Sequence, residues 1–410
     1  MTLWRYKTVD NFIVIFLTVL YTLFCSGQET ITEKPFSFNT LTINDGLSQN
    51  SVISIAQDSI GYLWLATQDG LNKYNGKSFK HYDKQFEDIT RPNFSKLGKI
   101  YIDKQNRLWI ITNSGNLELY NPKTDTFKHL ERFNNVSSIF QDKALHNYIG
   151  TYGKGLFKID TKTKDTLQVL NNQDKFRTIY EFIETDTAII VATSGAVFQI
   201  KNNTYNEINV ESHTNANFSA LTKDKNDNIW LGTFGQGLYF KENNKTTFIK
   251  YQHSQLPNDL NIEDLLIDSK NRLWIATYGN GVYLLNLENN TVTNFKADKN
   301  NPFAIHYNDI LCLYEDATGV IWLGSDGTGA SYYDAHLIKF NVLTNNQVPK
   351  NVNVDVVRSI STDVNNNLWI GTSGKGLTHI NFNNNEYKTY TVNNLSIASD
   401  KIISLLYNNN

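Results

Sequence analysis

One short unit recurs along this chain. An Asp is followed six residues later by a Trp, three residues further by a Thr or Ser, and then by one or two Gly within seven residues of the Trp. The six clear copies centre on Trp64, Trp109, Trp230, Trp274, Trp322 and Trp369, with Asp58, Asp103, Asp224, Asp268, Asp316 and Asp363 at the matching positions. Every Trp of the sequence except Trp4 lies in one of these units. Two weaker copies fill the gaps, with Asp142 before Tyr148 and Glu184 before Ile190. The centres then recur at steps of 39 to 48 residues. Self-similarity at that period restricts the fold more than any other feature here.

The step length is that of four short strands with their turns. It predicts an all-β chain: a seven-bladed β-propeller of four-stranded antiparallel blades, followed by the start of a second propeller. In each unit an apolar strand ends just before the Asp, a second strand contains the Trp, and a third follows the Gly. A fourth reads as Ser78-Phe-Lys-His-Tyr82 in the first copy. The residue three before the Trp is Gly61, Asn106, Asp227, Asn271, Gly319 or Asn366, types that accept the left-handed backbone of a tight turn. The Asp reads as a cap for that turn, accepting backbone N–H groups. Each Trp side chain buries roughly 150–250 Å², or about 4–6 kcal/mol at ~25 cal/mol/Å², and is expected to fill a seam between blades.

Residues 36–42 form a strand with no unit of their own. They are expected to complete the seventh blade as its fourth strand, which places the first propeller at 36–337. Closure on residues 338–343 is the alternative. Residues 338–410 then begin a second propeller, with Phe340 to Val342 as its first strand and Lys401 to Tyr407 as the inner strand of a further blade. One blade alone cannot bury both faces, so the chain is expected to be the front part of a longer protein or the product of a truncated reading frame. Ahead of the repeats, residues 12–24 are an uncharged apolar run after Arg5 and Lys7. That is short for a membrane span and suits a signal peptide over 1–27. Phe24 before Cys25 argues against a lipid anchor. An uncleaved leader would be the only membrane attachment these residues offer.

The net charge of −2 implies no general attraction to nucleic acid. Of the two Cys, Cys25 lies in the leader and Cys312 in an apolar strand, so no disulfide framework exists. The eight His show no paired ligand spacing, and one carboxylate per turn is too few for Ca²⁺, so neither a metal nor a cofactor is expected. A Gly-x-Gly such as Gly279-Asn-Gly281 lies between strands rather than opening a helix, so it is no phosphate loop. No catalytic residue is assigned. Candidate ligand contacts are what varies between copies. Tyr152, Phe234 and Tyr278 directly follow the Thr of their units, and Arg91, Phe94, Phe303 and His306 lie on the long loops 83–98 and 296–309. These positions share one face, where aromatic rings can stack on sugars. Packing over blade seams is the plainer use of the same aromatics.

Asp45-Gly-Leu-Ser-Gln-Asn-Ser-Val52 and Gln57-Asp-Ser-Ile-Gly-Tyr-Leu-Trp-Leu-Ala-Thr-Gln-Asp-Gly-Leu-Asn-Lys-Tyr-Asn-Gly76 resemble the opening of the two-component regulator propellers. These are periplasmic sensor regions of hybrid histidine kinases found mainly in Bacteroidetes. The resemblance runs from about residue 36 to the end, with Tyr148 and Ile190 departing from the family's Trp. It implies two seven-bladed propellers, then a β-sandwich domain, a membrane span and a histidine kinase. It also implies periplasmic sensing of glycans or related nutrients, and a homodimer formed through the later parts. None of the kinase parts is in these residues, so no enzyme activity is expected of them. Two other readings stand beside it: a secreted propeller hydrolase or lyase acting on glycans, and a scaffold for protein binding.

Overall fold

The computed structural model describes residues 36–82, 97–112, 114–160, 163–170, 178–211, 217–337, 343–345, 348–382, 384–394 and 396–408. The leader 1–27 with Cys25, the loop residues Arg91 and Phe94, and Phe340 to Val342 lie outside the described residues.

A short strand β1 (Phe38–Leu41) precedes the repeats. The first blade is β2 (Val52–Gln57), β3 (Leu63–Thr67), β4 (Gly70–Tyr74) and β5 (Phe79–Tyr82). The second is β6 (Leu97–Ile102), β7 (Leu108–Thr112), β8 (Leu117–Asn121) and β9 (Thr126–His129). The third is β10 (Val136–Gln141), β11 (Asn147–Thr151), β12 (Leu156–Ile159) and β13 (Thr166–Leu170). The fourth is β14 (Ile179–Glu184), β15 (Ile189–Thr193), β16 (Val197–Lys201) and β17 (Thr204–Val210). The fifth is β18 (Asn217–Lys223), β19 (Ile229–Phe234), β20 (Gly237–Lys241) and β21 (Thr247–Lys250). The sixth is β22 (Ile262–Ile267), β23 (Arg272–Thr277), β24 (Val282–Asn286) and β25 (Thr291–Phe295). The seventh is β26 (Ile310–Glu315), β27 (Ile321–Ser325) and β28 (Ala330–Tyr333). A last sheet is β29 (Val357–Thr362), β30 (Leu368–Thr372), β31 (Leu377–Asn381) and β32 (Glu386–Tyr390).

Strands within a blade pair antiparallel in chain order, so β2, β6 and their equivalents are inner edges and β5, β9 and theirs are outer edges. Inner strands pack in sequence, β2 on β6, β6 on β10, β10 on β14, β14 on β18, β18 on β22 and β22 on β26. Strand β26 packs back on β2, which closes the ring. The seventh blade lacks an outer strand of its own, and β1 supplies it by pairing antiparallel with β28, Phe38 opposite Tyr333 and Leu41 opposite Ala330. Ser51 Oγ donates to Asp326 Oδ1 at 2.7 Å, which ties the first blade to the seventh. Blades four and five also share a short parallel pairing of outer strands, Asn209 with Thr247 and Val210 with Phe248.

The repeated Asp does more than cap its turn. Asp58 Oδ1 accepts the Ile60 and Tyr62 N–H groups, and its Oδ2 accepts the Trp64 indole N–H at 3.0 Å. The indole bond recurs at Asp103, Asp268, Asp316 and Asp363, to Trp109, Trp274, Trp322 and Trp369. The fixed offset of six residues is the reach of that bond. In the fifth blade Asn228 occupies Asp224 Oδ2, and the buried Trp230 N–H has no partner. The six turn residues expected in the left-handed region all have positive φ, from 56° at Asn271 to 102° at Gly61. The Thr hydroxyl closes the turn between the second and third strands, as where Thr277 Oγ1 donates to the Gly281 carbonyl at 2.7 Å.

The fourth unit is shifted from the alignment read off the sequence. Glu184 pairs with Ile189, as Gln57 pairs with Leu63, so Glu184 matches Gln57 and not Asp58. The turn is one residue shorter, and Thr185 caps it by accepting the Ala188 N–H at 3.1 Å. Close approach between blades explains a Gly two residues after the Trp. A Cβ on Gly232 would meet Ile262 of the next blade at 2.6 Å.

The last sheet keeps the same pairing but exposes its first strand, with Ile360 61% exposed. Past it, Lys401 bridges Ser373, and Ile402 lies against Gly371 as Ile262 lies against Gly232. Residues 402–408 hold no strand, so the strand expected over Lys401 to Tyr407 is reduced to that one bridge.

Candidate functional site

The turns after the second strand of each blade meet the loops that lead into the next blade. Tyr152 N–H donates to the Asn135 carbonyl, and Tyr278 N–H donates to Asn261 O at 2.9 Å. Gly281 N–H donates to Asn308 O at 2.8 Å. Both loop sets therefore share one face, as the sequence suggested. On it Tyr152, Phe234 and Tyr278 are 52%, 43% and 43% exposed, and Tyr307 joins them at 37%. Among the described residues no ring contact joins the first three; they share a face and lie at different seams. His306 is exposed on the loop before β26, and Arg91 lies outside the described residues.

A bulge sets which inner-strand residues face the neighbouring blade. Each inner strand skips one residue of register near its start, as between Val52 and Ser54 or between Ile262 and Asp264. A bulge re-aims the side chains around it. The residue after the skip is Ser54, Ser138, Glu181, Ala220, Asp264 or Cys312 in blades one, three, four, five, six and seven, and Lys99 stands opposite the matching place in blade two. Most of these join one blade to the next. Ser54 Oγ accepts the Ile100 N–H at 3.2 Å, Ser138 Oγ donates to Ile179 O at 2.8 Å, and Asp264 Oδ2 accepts the Leu313 N–H at 2.8 Å.

Lys99 and Glu181 break the pattern. The Lys99 ammonium crosses from blade two to blade four, past blade three, and donates to Glu181 Oε2 at 3.1 Å and to the Tyr180 carbonyl at 3.0 Å. Burial works against its charge, but Glu181 and Asp264 outweigh burial and hold its pKa above the usual lysine value. Enclosure pushes the Asp264 carboxyl up to about 7, the Glu181 charge adds to this, and the Leu313 N–H and Lys99 oppose it. Its neighbour Glu263 is also raised by burial, with Lys99 lowering it and Asp309 and Asp326 raising it. Tyr152 lies within electrostatic reach of both Lys99 and Tyr180. Of the exposed aromatics on that rim, Tyr152 is thus the one within electrostatic reach of the axial charges at the mouth of the ring. The sequence reading missed Lys99, Glu181, Glu263 and Asp264. The signal is present: Lys99 and Asp264 stand ten residues before Trp109 and Trp274, where other units carry Ser54, Ala220 and Cys312.

The opposite face, at the Asp-bearing turns, holds a cavity of about 740 Å³ lined by Gln57, Asp103, Lys104, Glu315 and Asp316 among others. Its polar groups are engaged in seams between blades. Ser269 N–H donates to Glu315 Oε2, Ala317 N–H donates to Gln57 Oε1 and Lys104 N–H donates to Gln141 Oε1, at 2.8 to 3.0 Å. Lys104 also pairs with Glu184 at 2.9 Å, a second link from blade two to blade four. Among the described residues no three His, Cys, Asp or Glu side chains group as a metal site.

The family model of the two component regulator propeller matches residues 46–69, 212–235, 255–279 and 305–327. Each match contains a repeat Trp or leads through one, with its Thr or Ser. The chain carries two component regulator propeller repeats. The regulator propeller likeness extends to whole domains. The extracellular domain of a hybrid two component system from B. thetaiotaomicron matches with a TM-score of 0.71 at 25% identity, over 92% of this chain and 51% of that one. A 55-residue stretch is 56% identical to Histidine kinase P4 of Formosa agariphila, covering 13% of this chain and 4% of that protein. The chain thus spans about half the length of the solved relative, 51%, and a small part of the kinase. Virginiamycin B lyase from Staphylococcus aureus, at 14% identity and a TM-score of 0.60, shares the fold over 74% of this chain and 100% of its own.

Proposed function

We propose that this chain is the extracytoplasmic ligand-sensing region of a two component system, exported by its leader and periplasmic. Its ligand is a glycan held at the axial mouth on the face of Tyr152, Phe234 and Tyr278. The observation that carries this reading is the convergence at that mouth of an exposed phenol, Tyr152, with the cross-axis pair of Lys99 and Glu181. An aromatic face that stacks on a sugar ring, beside fixed polar groups that read hydroxyls, is the usual make-up of a carbohydrate site. The likeness to an extracellular domain of a hybrid two component system supports the sensing role. Kinase output, membrane attachment and homodimerisation belong, in this reading, to other segments of the full protein. We assign no catalytic step to these residues.

The test is calorimetry of the purified chain against neutral, amine-bearing and acidic oligosaccharides. Binding by one class, weakened about tenfold or more in Tyr152→Ala, is expected. If no class binds, or if binding survives Tyr152→Ala unchanged, this placement of the ligand is wrong. Turnover of any of these glycans would favour a secreted hydrolase or lyase instead.

A further inference from the structure

Four residues form one row across blades five and six. Asn217 pairs with Phe234 where β18 begins and β19 ends. Phe234 forms an antiparallel bridge to Asn261, just before β22. Asn261 O accepts the Tyr278 N–H at 2.9 Å, one step beyond the pair of Ile262 and Thr277. The Gly235 N–H also donates to Leu260 O at 3.1 Å, so backbone bonds hold the row together across the blade boundary. Residues opposite each other in such a ladder carry their side chains on the same side. The next row, Phe218, Thr233, Ile262 and Thr277, is fully buried, so by the alternation of strands the first row faces out. Phe234 and Tyr278 are each 43% exposed, and Asn217 is exposed as well. Asn261 stands between the two rings with its Oδ1 over the turn after Phe234, where a Cβ on Gly235 would lie 3.5 Å from it. The row therefore reads amide, ring, amide, ring. The same row is Asp326, Ser51 and Gln68 between blades seven and one, and Tyr152, Thr178 and Ser194 between blades three and four.

Opposite Cβ atoms in an antiparallel pair are about 4.5–5.5 Å apart, so two steps along the row set Phe234 and Tyr278 roughly 9–11 Å apart. Rings at that separation do not stack on each other. They suit one long ligand that repeats. In a β-1,4-linked pyranose chain each sugar is turned over relative to its neighbour, so the same face returns at every second ring. The apolar face of such a sugar lies flat on an aromatic ring. An amide between the two rings both donates to and accepts from hydroxyls of the intervening sugar. The four side chains carry no formal charge near neutral pH, so the row reads hydroxyls and not an acidic or basic group. We propose that the row of Asn217, Phe234, Asn261 and Tyr278 binds a linear, uncharged β-1,4-linked hexose chain, with Phe234 and Tyr278 under alternate sugars and Asn261 bonded to the sugar between them. The inference rests on reading this face as the glycan-binding face, and adds the class of chain and a place of contact separate from Tyr152. An α-1,4-linked chain curls and cannot lay every second ring along a straight row.

The experiment is calorimetry on the full chain with hexamers of β-1,4-linked glucose and mannose, their dimers, and the hexamer of α-1,4-linked glucose. The expected result is binding of at least one β-1,4 hexamer, binding of its dimer weaker by about tenfold or more because it cannot reach both rings, and no binding of the α-linked hexamer. Phe234→Ala and Tyr278→Ala are each expected to bring the hexamer down to the affinity of the dimer. Tyr278→Phe keeps the ring and should bind as the parent does. Melting curves of these variants should match the parent's, since both side chains stand on the exposed side of the row. Tyr152→Ala, measured with the same hexamer, separates this site from the axial mouth. If Tyr152→Ala weakens the hexamer and the Phe234 and Tyr278 variants do not, the row is not the site, and glycan sensing at the mouth stands. Equal affinity for hexamer and dimer, or for the α- and β-linked hexamers, would likewise overturn the inference. So would binding of some other oligosaccharide with none of either β-1,4 hexamer, which leaves the sensing reading in place. Failure of every oligosaccharide class to bind would overturn both.

Discussion

Asp268 and Trp274 are one unit, because the carboxylate that caps the turn also holds the indole. Oδ1 accepts the Lys270 and Arg272 N–H groups, and Oδ2 accepts the Trp274 Nε1–H at 2.8 Å with the Arg272 guanidinium beside it. Trp274 is fully buried, so loss of the carboxylate strands an indole N–H away from water. Asp268→Ala is expected to destabilise the fold by about 3 kcal/mol, from a buried unmet donor plus a lost cap. Asp224→Ala is expected to cost about half as much, because the Trp230 N–H is already unpartnered. Urea unfolding of the two variants decides it, and equal costs would show that the indole bond contributes nothing.

The two glycines of Gly279-Asn-Gly281 should differ sharply on substitution. Both have positive φ, 88° and 73°. A Cβ on Gly279 would meet open space, whereas one on Gly281 would lie 2.1 Å from the Phe295 carbonyl oxygen. Gly279→Ala therefore pays only the left-handed backbone penalty, about 1–2 kcal/mol. Gly281→Ala forces the turn off the outer strand and should cost at least twice that. Melting temperatures of the pair provide the comparison, and similar values would refute the steric account.

Closure of the ring hangs on a four-residue strand. Phe38 is buried, with its ring 5.2 Å from that of Phe295 and 6.1 Å from that of Tyr333. Phe38→Ala should cost about 3–5 kcal/mol, as for other buried Phe truncations. Because β1 is an outer edge, the loss should show first as local opening. Limited proteolysis is expected to cut between β1 and β2 faster than anywhere in blades two to six. Uniform cleavage would mean that the strand is not the clasp.

Stability should fall as pH rises towards neutrality. Asp264 titrates near 7 in the folded chain and near 3.8 when unfolded. Between those values the folded state keeps a proton that the unfolded state has released, so raising the pH favours unfolding until about pH 7 and has no further effect above it. The groups facing this carboxylate, Glu181, Lys99 and the buried Cys312, belong to other blades. Asp264→Asn retains an acceptor for the Leu313 N–H and removes the titration. Urea midpoints at about pH 5 and about pH 8 should lie closer together in the variant than in the parent, the remaining difference coming from Glu263, whose carboxyl burial also raises. An unchanged difference would assign the slope to another group.

The fold was legible because the constraints are local and repeated. A turn that needs a left-handed residue at Asn271, a cap at Asp268 and a tight Gly281 prints the same letters at the same offsets in each blade. The fourth unit was misaligned by one because Thr185 does the work of Asp there, and a hydroxyl and a carboxylate look unalike as letters. The link between Asp and Trp was invisible for a different reason. Both residues had a sufficient separate role, and only distance joins them. The site was read in half. Tyr152 and Tyr278 stand out because they follow a marked Thr. Lys99, Glu181 and Asp264 lie in apolar strands, 82 and 165 residues from the first to the others, and their convergence is a product of ring closure rather than of sequence spacing.

The parallel pairing of β17 with β21 has a mechanical result. Glu211 N–H donates to the Phe248 carbonyl at 2.9 Å, just past the paired Val210 and Phe248, so the seam between blades four and five is stitched at hub and perimeter alike. Among the described residues no other two blades pair backbone to backbone through their outer strands. A wheel of seven separate leaves has seven joints, and this one is bonded at its rim as well as packed at its hub. Blade four, which carries Glu181, is thereby tied to blade five along its outer edge. A push on Glu181 through the Lys99 strut would therefore load two of the seven blades and not one.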